Sequence, residues 1–264
     1  MQVLTQPDTL VVGGVELRSR LFTGTGKHRS DEDMLACLEA SGCEVVTVAL
    51  RRLDLDDPNR KTLLDLVDWS RYRCLPNTAG CSTAEEAIRI ARLSRTMGLS
   101  DWVKLEVIPE GMHLLPDPIE TLKAAEQLVK EGFKVLPYIN ADPVLARRLE
   151  EVGTVTVMPL GSPIGSGNGL VTIEQIQIII DNAKVPVVVD AGIGGPADAA
   201  LAMEIGADAV LVNTAIAQAA NPQLMAEAMR DAVTAGRRGF LAGRIGRSAQ
   251  ANPSSPTTGI SRRS

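Results

Sequence analysis

The feature that most constrains this chain is a regular alternation of short apolar runs with longer amphipathic ones. Eight runs read as strands: Leu21–Gly24, Glu44–Val48, Tyr72–Pro76, Trp102–Ile108, Lys134–Tyr138, Thr154–Met158, Val185–Val189 and Ala209–Val212. Each has a helical run, or room for one, behind it. Ser30 is an N-cap for a helix over 31–40 that Gly42 ends, and Gly98 and Gly132 close helices over 83–97 and 119–131. Asp142-Pro143 opens another, with proline in the first turn. Strands alternating with helices imply a parallel sheet. Eight such units in 264 residues predict a closed (β/α)8 TIM barrel rather than an open doubly wound sheet. The second unit is the least regular, with a polar loop over 50–61 before a short helix. A Val-Val-Gly-Gly-Val-Glu-Leu segment within residues 3–19 predicts a short N-terminal hairpin. The pattern is expected to fail after Gly236. Residues 1–247 form one barrel domain in this reading, and the Ser/Pro/Thr/Arg-rich residues 248–264 a disordered tail. Aromatics are only 3% of the chain, so the core must be built from Ala, Val, Leu and Ile, which suits parallel strands under Ala-rich helices.

Several function classes are disfavoured. The net charge is −5 with no basic stripe before the tail, so nucleic acid is not an expected partner. No stretch approaches the roughly 20 apolar residues that span a membrane. The start lacks a basic segment followed by an apolar run, and the expected location is cytoplasmic. Cys37, Cys43, Cys74 and Cys81 show no CxxC spacing, and His28 and His113 are the only histidines. Reduced cysteines and no metal site or cofactor are therefore expected.

The candidate chemistry centres on Trp102-Val-Lys-Leu-Glu-Val-Ile108. Alternation places Val103, Leu105 and Val107 on one face, and Lys104 and Glu106 together on the other, about 6.6 Å apart. Two charges on one side of an apolar strand are paired or used. They are either a structural ion pair or an amine nucleophile with a carboxylate for proton transfer. Desolvation in a barrel lumen is expected to lower the lysine pKa and free the amine. Asp190, ending Val187–Asp190, is an acid/base candidate or a loop cap. Gly192, Gly194 and Gly195 precede a helix starting near Pro196, which would leave backbone N–H groups free for a phosphate. Asn213 and Thr214, directly after the eighth strand, offer an amide and a hydroxyl to the same anion. The loop over 160–169 lets the backbone approach a ligand, or is a lid without contacts of its own. Arg51 and Arg52 meet an anion or solvent, Asn77-Thr-Ala-Gly80 suits a pocket wall, and His28 and His113 read as loop or surface residues. A phosphate site across the mouth from a lysine points to a phosphorylated ketose or aldose.

Six segments carry a family resemblance: Gly24–Lys27, Pro76–Cys81, Val103–Val107, Met158–Gly167, Val189–Gly194 and Asn213–Ala217. From about Leu10 to Gly243 the chain resembles bacterial thiazole synthase of thiamin biosynthesis. The resemblance implies condensation of 1-deoxy-D-xylulose 5-phosphate, dehydroglycine and sulfur from a thiocarboxylated ubiquitin-like carrier protein into a thiazole carboxylate phosphate. It implies that Lys104 forms an imine with the ketose, at C3 after rearrangement from C2. Glu106 and Asp190 then match the acid/base carboxylates, and Gly161, Ala191, Gly192, Gly194, Asn213 and Thr214 the sugar-phosphate site. It further implies a metal-free homo-oligomer, taken as a homo-tetramer, supplied by a dehydroglycine-producing enzyme. Gly195 stands where relatives often carry a small polar residue. Two rival readings are another Schiff-base barrel, such as an aldolase on a deoxy-sugar phosphate, and a non-catalytic scaffold for the sulfur carrier.

Overall fold

A computed structural model of the chain describes residues 8–50, 62–246 and 248–255. A two-stranded antiparallel hairpin, β1 (Leu10–Val12) and β2 (Val15–Leu17), precedes eight parallel strands. These are β3 (Leu21–Gly24), β4 (Val45–Ala49), β5 (Arg73–Asn77), β6 (Trp102–Leu105), β7 (Lys134–Ile139), β8 (Met158–Pro159), β9 (Val188–Asp190) and β10 (Ala209–Val212). They pair in chain order from β3 to β8, and β10 pairs with both β9 and β3. The parallel bridges Val157–Val187 and Leu160–Asp190 join β8 to β9 and close the ring. The (β/α)8 expectation and the hairpin both hold.

Helices cover the outside: α1 (Asp31–Ser41), α2 (Leu63–Leu66), α3 (Ala84–Thr96), α4 (Pro118–Lys130), α5 (Pro143–Val152), α6 (Ile173–Asn182), α7 (Pro196–Glu204), the short α8 (Thr214–Ala217) and α9 (Pro222–Ala242). The local signals work as read. Ser30 accepts from Asp33 N, and Asp142 accepts from Val144 N and Leu145 N ahead of α5. The same cap-then-proline signal starts α4 at Asp117 and α9 at Asn221.

Strand parity organises the interior. Outward residues such as Val103, Leu105 and Val107 pack on Ala84, Ala87, Ala124, Ala125 and Leu128 of the covering helices. Inward residues Phe22, Val45, Leu75, Trp102, Leu136, Met158 and Val188 form one apolar layer, and Leu10, Val12 and Leu17 of the hairpin plug it from below. Two residues further along four of these strands the lumen turns polar, with Thr47, Asn77, Lys104 and Asp190 around one cavity. Each buried aliphatic or aromatic side chain contributes about 1.5–3 kcal/mol, which helps to offset the several kcal/mol per ion that a charged layer above it costs.

Several boundaries differ from the sequence reading. The lysine strand stops at Leu105, β5 runs one residue later than expected, and β8 and β9 begin later than their apolar runs. The lead-in residues are still bonded irregularly: Val155 N donates to Val135 O and Val157 N to Pro186 O. The expectation that the pattern fails after Gly236 is overturned, because α9 runs on to Ala242. Gly236 sits inside it, where a Cβ would collide with the Ala200 carbonyl oxygen of α7, so its role is close helix contact and not termination. Arg51 and Arg52 lie outside the described residues. Residues 248–255 are exposed and carry no helix or strand.

Gly236→Ala is expected to lose about 1–3 kcal/mol through overpacking. Gly239→Ala, three residues on, would meet only the mobile Glu204 side chain at 3.2 Å. It is expected to gain up to about 1 kcal/mol, the usual gain for Gly→Ala in a helix. Urea unfolding of both variants checks the opposite signs; equal gains would show that α7 and α9 do not touch there.

Candidate active site

The fourth and seventh barrel strands put three charged groups at one point of the lumen. Lys104 Nζ lies 2.6 Å from Asp190 Oδ2 and 3.3 Å from Glu106 Oε1. None of the three is more than 5% exposed. The amine also lies 5.6 Å from the centre of the Tyr138 ring, a buried phenol that burial and the two carboxylates keep protonated. Structure and sequence agree on the shared face of Lys104 and Glu106, and Asp190 joins them from across the barrel.

The expected drop in the lysine pKa is corrected. Burial pulls the ammonium down, but Asp190 and Glu106 outweigh it and hold Lys104 above the ordinary lysine value. Burial pushes both carboxyls up against the pull of the ammonium, and at Glu106 the neighbouring Asp190 adds to the rise. With both carboxylates ionised the group would carry a net negative charge in a dry site. Burial opposes that state, and the three groups lie close enough to titrate as a coupled unit. Glu106, farther from the ammonium, is the less tightly paired of the two carboxyls.

A cavity of about 380 Å³ opens above the triad, with Lys104 and Asp190 at its base and Asn77, Gly192, Asn213 and Thr214 in its wall. Ala191, in the wall, has the left-handed φ of 69°. Such strain in a non-glycine residue recurs at functional sites. Gly192 needs its missing side chain, since a Cβ there would overlap Ser162. Gly161 stands one step back from the cavity and donates its N–H to Ala191 O at 3.3 Å. The loop over 160–169 is no free lid: Gly169 N donates to Gly192 O at 2.8 Å, and the Ser162 and Ser166 hydroxyls meet at 3.0 Å.

One part of the expected phosphate site is already occupied. Asp198 Oδ2 accepts from Gly194 N at 2.9 Å and from Gly195 N at 3.1 Å, so these N–H groups are not free. Asp198 is the first-turn acid of α7 and was legible as a cap only once the turn geometry was known. At the end of the neighbouring strand β10, Asn213 Oδ1 is buried and has no hydrogen-bond partner among the described residues. Sequence reasoning missed Thr47, which follows the inward Val45 by two positions in β4 and reaches the cavity by the parity that placed Lys104. His113 is exposed beside Glu110, and half-buried His28 is held below its usual pKa by burial.

Replacing Lys104 by Met leaves Asp190 and Glu106 buried without their cation, at a cost of about 3 kcal/mol or more near neutral pH. Both carboxyls have folded-state pKa values raised above their unfolded values. The stability they allow is therefore present at acidic pH and lost as pH rises through the folded values. Calorimetry from pH 5 to 8 is expected to show a steeper fall in Tm for Lys104→Met than for the unaltered chain. Parallel curves would mean that the three groups are not coupled.

Residues 11–256 match the family model described as thiazole biosynthesis protein ThiG. A thiazole synthase from Synechococcus sp. is 61% identical over 97% of this chain and 95% of its own length. One from Thermosynechococcus vestitus is 62% identical over 97% and 95%. The bifunctional protein ThiO/ThiG of Trichormus variabilis is 60% identical over 97% of this chain, which spans 40% of that longer protein. Among solved structures, the Amycolatopsis orientalis BexX/CysO complex matches with TM-score 0.81 and 35% identity, over 91% of this chain and 98% of that one. The chain belongs to the ThiG family and is an enzyme, a thiazole synthase of thiamin biosynthesis.

Proposed function

We propose that the chain condenses 1-deoxy-D-xylulose 5-phosphate with dehydroglycine and carrier-borne sulfur through an imine on Lys104. The observation that supports this reading most is the amine itself: a buried lysine, flanked by two carboxylates, at the base of a cavity of about 380 Å³. That volume falls in the range of small-molecule pockets. Lys104 first gives a proton to the carboxylate pair. The neutral amine then adds to the ketose carbonyl, the C–N bond forms, and the carbonyl oxygen is protonated and leaves as water. A carboxylate next takes the proton from C3 to give the enaminol, and the pair returns a proton to C2, which leaves the carbonyl at C3 and the lysine nitrogen on C2 as an amine. Glu106, the more weakly paired carboxyl, and Asp190, the ammonium's closer partner, suit these two roles.

The sugar-phosphate tail runs in this proposal toward Asn213, Thr214 and Gly165, and away from Asp198, whose charge would repel it. Lys27 supports that direction, because its Nζ lies 3.2 Å from the place a Cβ on Gly165 would take. Gly161, Ala191, Gly192 and Gly194 shape the wall against which the sugar lies. The sulfur donor is a thiocarboxylated ubiquitin-like carrier protein, in keeping with the CysO partner in the related complex. A separate dehydroglycine-producing enzyme supplies the imine. The joining of ThiO and ThiG on one chain in a relative is in keeping with such a supply. The proposed working form is a cytoplasmic homo-tetramer. Among the described residues no helix is long and apolar enough to cross a membrane.

Incubation with deoxyxylulose phosphate and borohydride is expected to fix one reduced sugar adduct on Lys104, seen by peptide mass spectrometry, and none on Lys104→Met. An adduct on another lysine, or none, would overturn the imine. Thiazole formation only in the presence of the thiocarboxylated carrier separates this reading from an aldolase, which would cleave the sugar without it.

A further inference from the structure

Strands β5 and β6 meet in register only at Asn77 and Lys104, and both end within a residue of that pair. Glu106 therefore lies past the regular ladder, where nothing in the sheet itself holds its backbone. Its two backbone groups are taken instead by one side chain. The Thr78 hydroxyl accepts from Glu106 N at 2.8 Å and donates to Glu106 O at 2.7 Å. Thr78 is fully buried, and its own N–H donates to Lys104 O at 3.2 Å. In the turn that follows the backbone itself takes over, with Cys81 O accepting from Ile108 N at 2.8 Å. These bonds accompany the contact between Glu106 and Lys104 in the lumen.

We propose that Thr78 is the positioning residue for Glu106: by closing both backbone hydrogen bonds of that residue, its hydroxyl fixes the carboxyl 3.3 Å from the Lys104 amine and so governs the proton exchange between them. This rests on the reading of Lys104 as the imine-forming amine. The two partners of the lysine are held differently. Asp190 is the last residue of a paired strand, fixed by the ladder itself, and it makes the closer contact. Glu106 depends on a side chain for its place, so its distance can be changed without touching either strand. Threonine suits the task because its β-branch restricts the hydroxyl's direction, which a serine would hold less firmly. Valine has nearly the same shape and lacks the hydroxyl, leaving Glu106 N and O buried without that partner.

The test compares Thr78→Val and Thr78→Ser in the full-length enzyme. Thr78→Val is expected to stay folded by circular dichroism and to bind the sugar phosphate within about threefold of normal. Its rate of borohydride-trapped imine formation should fall about 10- to 100-fold, the scale of a misplaced acid/base group, with the pH–rate profile displaced. Thr78→Ser should recover most of the rate and the original profile. A normal rate and profile in Thr78→Val would overturn the proposal. So would equal losses in both variants with the profile unmoved, which is the signature of packing alone. Should the unaltered enzyme give no adduct, the imine reading fails and the titration of Glu106 decides the positioning role. Followed by carboxyl carbon NMR and assigned with Glu106→Gln, that titration should shift in Thr78→Val and return in Thr78→Ser. An unmoved Glu106 would overturn it.

Discussion

The structure depends on one costly arrangement: an ammonium held out of water between two carboxylates. In a low-dielectric lumen the attraction between such charges is strong, but so is the loss of their hydration, and the balance is favourable only with close geometry. A single strand cannot supply it. Lys104 and Glu106 share a face of β6 by parity, yet the closer partner, Asp190, comes from β9 on another part of the ring. Closure of the barrel, through the bridges between β8 and β9, is what brings that third charge within 2.6 Å. The fold and the chemistry are tied at this point.

The same parity explains how the site is supported. Along four of the strands an inward apolar residue comes first and an inward polar one two positions later: Val45 then Thr47, Leu75 then Asn77, Trp102 then Lys104, Val188 then Asp190. The lower set packs with the N-terminal hairpin into a dry floor, and the upper set lines the cavity. A hairpin that looks like a decoration in the sequence is therefore a plug that keeps water from reaching the charges from below.

Alternation made Lys104 and Glu106 legible, because periodicity of two is a local property that survives an error in strand boundaries, and Asp190 was legible from its place at the end of an apolar run. The charge state of Lys104 was not legible in the same way. Burial alone argues for a lowered pKa, and only the distances to two carboxylates reverse the sign. Gly194 and Gly195 failed for a related reason. Their N–H groups look free until the turn brings Asp198 beneath them, a contact that depends on the path of the loop rather than on spacing. Gly236 is the third case. Read locally it marks where the regular pattern fails, whereas the neighbouring α7 makes it a point of close approach. Thr78 shows the limit most clearly, since a threonine in a turn carries no sign that its hydroxyl will replace two rungs of a sheet.

A resting ammonium changes what the site must do. An amine that was already neutral would need only a carbonyl in reach, and the carboxylates would be incidental. A lysine held charged must first lose its proton, and the group that takes it must be close, desolvated and not already saturated by the same ammonium. Two unequal carboxylates meet that need better than two equal ones. The nearer, Asp190, stabilises the cation and later the positive charge of a protonated imine. The farther, Glu106, exchanges protons with less loss of pairing. The difference between 2.6 and 3.3 Å is thus a division of labour, and it persists only while the backbone of Glu106 is held in place past the end of its strand.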